Sequence, residues 1–379
     1  MNSDIIKKVA ENIVKSVSIK EDDMVVINAG IHELELVENI VIETFNRGAV
    51  PITILTSDKM ELNILNAVRA DTLQKIPRHL LAAVKETDAF IAVEPFQDPK
   101  VVNQFPRDKV AARQLGRTPI SRIIFETKRW VYAGWPTKEA ADFYGISYSE
   151  LEEFIIGGMS VEPETLMHTG NAIKKKFSGA EKIRVRDEHG TNFTVSIKDR
   201  RVNIDDGILS EEDIKANDLG NNLPAGEVFI PVVETIGDGQ LFCPLTIDPF
   251  TGKIMHDLTL VFRNGVLDLE KSQVPDELRD TFLKSEEIDI KTYGVAGSRR
   301  IGELGIGLNP RIKRAIGYIL TDEKVIGSVH LAFGENIGYG GTNKSSLHWD
   351  FVTAPLETVE IIFPGERIEL LMEKGKLIL

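Results

Sequence analysis

The sequence contains a single cysteine, Cys243, among its 379 residues. One thiol cannot form an internal disulfide, and it excludes a zinc or iron–sulfur site built from several cysteines. We therefore expect a reducing, cytoplasmic environment. The chain also lacks an apolar run long enough to cross a bilayer. Residues 1–17 have the spacing of an amphipathic helix and do not resemble a signal peptide, so no membrane partner is expected.

The chain also has fewer basic than acidic residues. The chain has 45 lysine and arginine residues against 58 aspartate and glutamate residues, which gives a net charge of −13 with histidine neutral. This balance opposes generic binding to nucleic acid or to anionic lipid. Between Asp205 and Asp248 there are ten acidic side chains and one basic side chain, Lys215. They form either a solvated surface or a cleft that attracts metal cations or a substrate ammonium group.

The pattern of predicted elements changes near residue 150. Before it, apolar runs alternate with segments of helical periodicity. The predicted strands are Met24–Ala29, Val50–Thr56, Ala89–Val93 and Ile120–Phe125. This alternation predicts a doubly wound α/β domain over residues 1–150. No glycine-rich phosphate turn follows the first strand, so we expect no dinucleotide site and interpret His32 and Glu33 as the surface start of a helix.

Short strands dominate after two predicted helices at Tyr148–Gly157 and Pro163–Phe177. The sequence Arg263-Asn264-Gly265 between two apolar runs indicates a hairpin, because Asn-Gly readily adopts positive φ. Three more strands are predicted at Val359–Phe363, Ile368–Met372 and Lys376–Leu379. Residues 151–379 are therefore expected to form a larger, β-rich α+β domain, and this domain carries the candidate site.

Two histidines near the C-terminus occur in informative contexts. His348 and Asp350 are two positions apart, so on an extended strand they share one face while Trp349 points to the opposite side. His330 belongs to the apolar run Val325–Ala332, where a buried imidazole needs a partner. Taken alone, each histidine has two explanations: a hydrogen-bonded structural role or a metal site.

Two glutamates are harder to explain without a ligand. Glu303 lies in the uncharged, glycine-rich stretch Gly302–Gly307, and Glu227 directly precedes an apolar strand. A carboxylate in such surroundings is paired or bound to metal. With the two histidines and Asp350, they make a donor set of five residues. Three protein ligands suffice for one hydrolytic zinc, so five suit two metal ions, as in many aminopeptidases and phosphatases.

Four motifs follow one another along the second half of the chain. They are GEVF (Gly226–Phe229), ELGIGLNP (Glu303–Pro310), DEKVIGSVHLAFG (Asp322–Gly334) and GGTNKSSLHWD (Gly340–Asp350). In this order they resemble the M29 family of metallopeptidases, the thermophilic aminopeptidases of the T and S types. The resemblance implies removal of N-terminal residues from peptide substrates, and a homodimer.

The same resemblance assigns a site. It implies two divalent metal ions, of Zn, Co, Mn or Mg, whose ligands would be Glu227, Glu303, His330, His348 and Asp350. Glu303 would then be the bridging carboxylate or the general base that helps water attack the first peptide carbonyl.

The sequence departs from the family pattern in two places. Family members commonly have a tyrosine seven residues after the first histidine, where this chain has Ile337. Tyr339, two residues later in a glycine-rich loop, is the candidate replacement and joins Glu303 as a predicted catalytic residue. The spacing of 18 residues from His330 to His348 is also shorter than in typical members.

Two other functions stay open on the sequence alone. His330, His348 and Asp350 would satisfy a two-histidine, one-carboxylate iron site, and the ring-cleaving dihydroxypyridine dioxygenases resemble this family too. Glu227 and Glu303 argue against that function, because a mononuclear iron site needs open coordination positions. A non-catalytic metal-binding relative is the third alternative. The sequence favours a metal-dependent aminopeptidase.

Overall fold

A computed structural model of the chain describes residues 3–379. Backbone contacts divide the chain into two compact units. The first comprises Met1–Ser160 and Gly207–Ala225, and the second comprises Val161–Asp206 and Gly226–Leu379. The sequence predicts one boundary at residue 150, whereas a segment from the second half returns to the first unit. That the units are separate domains stays a prediction.

Strands and helices alternate over residues 3–160. The helices are α1 (Ser3–Ser16), α2 (Leu34–Asn46), α3 (Asp58–Ala67), α4 (Ala70–Leu73), α5 (Arg78–Lys85), α6 (Arg107–Thr127), α7 (Lys138–Tyr144) and α8 (Tyr148–Glu152). The strands are β1 (Met24–Gly30), β2 (Val50–Thr56), β3 (Ala89–Val93) and β4 (Arg129–Ala133). Within residues 3–379, the helices are too short or too polar to span a bilayer.

Strands dominate the remainder. The helices are α9 (Pro163–Lys176), α10 (Glu211–Lys215), α11 (Asp276–Tyr293) and α12 (Ile319–Asp322). The strands are β5 (Lys182–Arg186), β6 (Asn192–Ser196), β7 (Asn203–Asp205), β8 (Gly220–Leu223), β9 (Glu227–Pro231), β10 (Gly237–Ile247), β11 (Ile254–Arg263), β12 (Val266–Leu267), β13 (Ile301–Gly307), β14 (Val329–Gly334), β15 (His348–Val352), β16 (Thr358–Ile362), β17 (Ile368–Glu373) and β18 (Lys376–Leu377).

The first unit is built on a parallel sheet in the order β2-β1-β3-β4-β8. From β1 the chain moves outward to β2 and then returns to β3 on the other side of β1. This change of direction is typical of doubly wound α/β folds. Helices α5 and α6 cover the sheet face that carries Phe90 and Trp130. The expected α/β organisation of the first half is therefore confirmed.

Three details of this unit differ from expectation. Ile120–Phe125 is not a strand but part of α6, because its apolar residues pack on the sheet as a buried helix face. A short apolar run does not distinguish the two cases. Strand β8 is unexpected because its sequence, Gly-Asn-Asn-Leu, contains no apolar run. Glu33 does lie at a helix start, but it is buried with only 1% of its surface exposed.

The second unit contains two antiparallel sheets. Their strand orders are β12-β11-β10-β6-β5-β16-β17-β18 and β15-β14-β13-β9-β7. The predicted hairpin joins β11 to β12, and both Asn264 and Gly265 have positive φ. The antiparallel sheets and their associated helices agree with the expected β-rich α+β class.

An aromatic cluster supports the β15-β14-β13-β9-β7 sheet. Phe282 of α11 is fully buried, stacks on Trp349 with 5.4 Å between ring centroids and meets Phe333 edge-on at 6.1 Å. Trp349 Nε1 also donates a hydrogen bond to Thr246 Oγ1 of β10 at 3.0 Å. Because Trp349 is buried between these groups, its neighbours in β15, at positions 348 and 350, face the opposite side of the sheet.

We expect Phe282→Ala to lower the free energy of unfolding of the second unit by about 3–5 kcal/mol, because it leaves a cavity among buried rings. Leu283→Ala is the matched control, since the next side chain on α11 is 48% exposed. That control should change stability by less than about 1 kcal/mol. Urea unfolding followed by tryptophan fluorescence measures both variants. Equal effects would contradict the assigned packing.

Candidate metal centre

The β15-β14-β13-β9-β7 sheet brings residues that are distant in the sequence to one place. Strand pairing sets Gly307 opposite Glu227, and Gly305 opposite His330. The His330 ring lies over Gly305, where a Cβ atom would collide with Nε2. Gly305 therefore makes room on β13 for the imidazole of the neighbouring strand.

His330 is fully buried between two carboxylates. Its Nε2 lies 3.2 Å from Glu303 Oε1 and 3.3 Å from Glu227 Oε2, and each glutamate is 6% exposed. Burial by itself lowers the pKa of His330. The hydrogen bond with Glu303 and the negative charges of Glu227, Asp350 and Glu303 outweigh burial and raise that pKa to about 9. The two carboxylates therefore favour a positive charge beside them, which in the metal-free protein is the proton on His330.

His348 and Asp350 form a second pair, on β15. His348 Nε2 lies 3.2 Å from Asp350 Oδ2, while Nδ1 donates to the main-chain carbonyl of Glu335 at 2.9 Å. A metal-binding histidine usually donates its second ring N–H to a carbonyl or carboxylate group. The hydrogen bond from Nδ1 to the Glu335 carbonyl is such a contact, and it leaves Nε2 directed at Asp350. Burial by itself lowers the pKa of His348 and raises that of Asp350, but attraction between the two groups reverses both shifts. The His348 side chain is 34% exposed, so this end of the site is accessible.

Tyr339 reaches the same pair from the loop between β14 and β15. Its hydroxyl donates to the Glu335 carbonyl at 3.1 Å and lies 3.4 Å from His348 Nδ1. Burial, and then the negative charges of Glu303 and Asp350, raise the pKa of Tyr339 above its usual range, so the hydroxyl stays protonated at neutral pH. The structure thus places the predicted replacement tyrosine next to the predicted ligands.

Glu234 fixes the loop that carries this tyrosine. Its carboxylate accepts hydrogen bonds from the Thr342 backbone at 2.6 Å, from Asn336 Nδ2 at 3.0 Å and from Arg200 Nη2 at 2.5 Å. This member of the acid-rich stretch therefore has a structural role. Ile337, at the position where the family has tyrosine, is 44% exposed.

Lys324 is a site residue that the sequence did not predict. Its ammonium group lies 2.5 Å from Glu227 Oε1, 3.0 Å from Glu323 Oε2 and 3.3 Å from Asp205 Oδ2, with the side chain fully buried. Burial opposes the charge of Lys324, but these carboxylates raise its pKa well above the usual value. The charged triplet Asp322-Glu323-Lys324 in an apolar stretch was the available signal.

The donor set fits a divalent metal ion. Glu227, Glu303 and His330 each offer one atom, and these atoms lie within 4.8 Å of one another. His330 Nε2 lies 3.2 Å and 3.3 Å from the two glutamate oxygens. Ligand atoms bound at about 2.1 Å to a tetrahedral zinc ion are roughly 3.4 Å from one another, which is close to these separations. Asp350 Oδ1 is buried and makes no hydrogen bond within residues 3–379, and buried Glu227 Oε2 has an ion-pair contact with His330 but no hydrogen bond. Such atoms are rare unless a ligand satisfies them.

The five predicted ligands are therefore gathered on one sheet as two contact groups. His330 contacts Glu227 and Glu303, while His348 contacts Asp350. Charge interactions between His330 and Asp350, and between His348 and Glu303, link the two groups.

The chain is similar to known proteins along nearly its whole length. A family model described as thermophilic metalloprotease (M29) matches residues 2–377. No curated protein sequence matches the chain. The structure is similar to wild-type AmpT from Thermus thermophilus, with a TM-score of 0.75 and 18% identity over 99% of each chain. It is also similar to 2,5-dihydroxypyridine dioxygenase from Pseudomonas putida KT2440, with a TM-score of 0.61 and 15% identity over 100% of this chain and 98% of that one. At these identities the two structures establish a shared fold.

Removing the buried ammonium group should destabilise the metal-free protein. We expect Lys324→Met to lower the free energy of unfolding by about 3–5 kcal/mol, because it leaves neighbouring carboxylates without their counter-ion. Lys253→Met is the control, since Lys253 pairs with Glu277 on the surface. It should leave the unfolding midpoint nearly unchanged. Urea unfolding after dialysis against a chelator measures both, and a Lys324→Met midpoint equal to that of wild type would contradict the role of Lys324.

Proposed function

This chain belongs to the M29 family of thermophilic metalloproteases, and on that premise we propose that it is an aminopeptidase with two divalent metal ions. It would hydrolyse the first peptide bond of peptide substrates and release the N-terminal residue. The observation that carries the proposal is the group of buried imidazole and carboxylate donors on one sheet, at the positions of the family motifs.

Charge balance supports two ions rather than one. Five carboxylates meet in the site, opposed by the single ammonium group of Lys324; they are Asp205, Glu227, Glu303, Glu323 and Asp350. With neutral histidines and all five carboxylates ionised, four negative charges remain; burial raises the pKa values of Glu227 and Glu323 to about 7, so ionising all five needs nearby cations. Buried charge without compensation is costly. Two divalent cations would balance the site, whereas one would leave an excess of two negative charges.

Bound metal ions would polarise the scissile carbonyl and lower the pKa of a water molecule. We assign Glu227, Glu303, His330, His348 and Asp350 as the residues that would hold them. Imidazole and carboxylate donors suit zinc, cobalt and manganese, and carboxylates suit magnesium.

Glu303 is our choice for the general base. Its carboxylate lies on β13, is only 6% exposed and forms a hydrogen bond with His330 Nε2 at 3.2 Å. In the reaction it would accept a proton from the attacking water and deliver it to the departing amine. Tyr339 would donate a hydrogen bond to the carbonyl oxygen as negative charge develops there.

A ring-cleaving oxygenase is the second candidate, because the fold is shared with a dioxygenase. His330, His348 and Asp350 could serve as its iron ligands. Against this function, two further carboxylates lie within 3.3 Å of His330 Nε2, where an oxygenase needs open positions. We therefore favour hydrolysis. The homodimer and the cytoplasmic location stay predictions.

Glu303→Gln tests the proposed chemistry. We expect the variant to keep its fold and to lose leucine p-nitroanilide hydrolysis by a factor of about 10²–10⁴, because an amide cannot accept the proton. Glu360→Gln is the matched control, because it makes the same replacement on the other sheet of the second unit. There Glu360 pairs with Arg184 and Arg186. Turnover is measured with added cobalt or zinc. Near-wild-type activity in Glu303→Gln would remove the assigned role.

A further inference from the structure

The first unit contains a cavity of about 420 Å³ on the sheet face that α5 and α6 cover. Its floor is a row of aligned side chains across four strands: Ile54, Asn28, Ala92 and Tyr132. Its walls are mostly apolar, with Leu80 from α5 and Ile120 and Ile124 from α6. Volumes of this size are typical of small-molecule sites.

Small side chains on both sides create the space. Ala92 occupies the middle of the floor, and Ser121 faces it from α6. Trp130 closes one side, where its ring meets Phe125 edge-on at 5.1 Å between centroids. The same ring lies over Gly220 of β8, where a Cβ atom would collide with it. Protein interiors contain few voids larger than a water molecule. A cavity of this size is therefore a candidate binding site.

One charge faces this cavity. Within residues 3–379, Arg117 is the only lining residue that is charged at neutral pH. The nearby carboxylate of Glu61 already accepts two bonds from Arg113 and one from Thr56 at 3.0 Å. In the described part of the chain, Arg117 makes no hydrogen bond or close ion pair of its own. Its guanidinium group is therefore available to an anion.

The other polar groups on the lining are neutral. The Tyr132 hydroxyl donates a hydrogen bond to Glu94 Oε2 at 2.8 Å. Asn28 and Ser121 offer an amide and a hydroxyl, both of which can donate to a carboxylate. Apolar walls with one cation thus complement a ligand that has an apolar body and one negative charge.

We propose that this cavity binds a small aromatic or branched monocarboxylate, whose apolar body packs on Phe90 and Ile124 and whose carboxylate pairs with Arg117. Guanidinium and carboxylate groups form two parallel hydrogen bonds, which makes arginine the suitable partner. An amine with the same apolar body finds no counter-ion on the lining. The site shares no residue with the metal centre and does not depend on the proposed peptidase activity.

Calorimetric titration of the full-length protein tests the charge requirement. The probes are 3-phenylpropionate and 2-phenylethylamine, which have the same ring and opposite charges. We expect the acid to bind and the amine to bind at least about tenfold more weakly. Each titration is repeated after dialysis against EDTA, and an unchanged affinity separates this cavity from carboxylate binding at a metal. Equal binding of the two probes, no binding of the acid, or binding that EDTA removes would overturn the proposal.

Variants then locate the binding. Arg117→Gln should weaken 3-phenylpropionate binding about tenfold or more, because it removes the charge-assisted hydrogen bonds. Ser121→Leu should abolish binding by filling the cavity. Arg122→Gln on the same helix is the control, since its side chain is 70% exposed and pairs with Glu126. Wild-type affinity in Arg117→Gln would contradict the assignment, and this result decides the question if Ser121→Leu fails to fold.

Discussion

Compensation of buried negative charge is the constraint on which the candidate site depends. Strands β7, β9, β13 and β15 each bring a carboxylate into one sheet, and Glu323 precedes β14. The Lys324 ammonium group neutralises only part of this charge. The carboxylates around His330 and His348 raise the pKa values of both imidazoles, so protons on these two rings would offset two of the four remaining negative charges in the metal-free protein. Imidazole and carboxylate groups are also the ligands that divalent cations take in hydrolytic sites.

The remainder of the second unit keeps these groups in position. Gly305 in β13 leaves space for the His330 ring. The stacked rings of Phe282 and Trp349 fix one side of β15, so the side chains on either side of Trp349 project toward the site. Glu234 ties down the loop that brings Tyr339 to His348. Packing, strand register and hydrogen bonding thus all contribute to the positions of the site residues.

The sequence predicted the alternating first half, the hairpin at Asn264-Gly265 and most strands of the second half, because apolar periodicity and turn chemistry are local signals. Through the order of four motifs it also predicted that three acids and two histidines lie together, but it did not predict that Asp205 and Glu323 join them. Local patterns could not distinguish the buried face of α6 from a strand at Ile120–Phe125. They could not place β8 in the first unit, since that strand is short and polar. Lys324 was missed because a lysine is ordinarily exposed, and its burial depends on acids that only the fold brings together.

The central claim is that the site holds two divalent metal ions and uses them for hydrolysis. Elemental analysis of the purified protein, combined with turnover of a leucine anilide before and after addition of cobalt or zinc, tests it most directly. The account predicts about two metal ions per chain and turnover that depends on them. One iron per chain without anilide turnover would contradict it and would favour an oxygenase on the same fold.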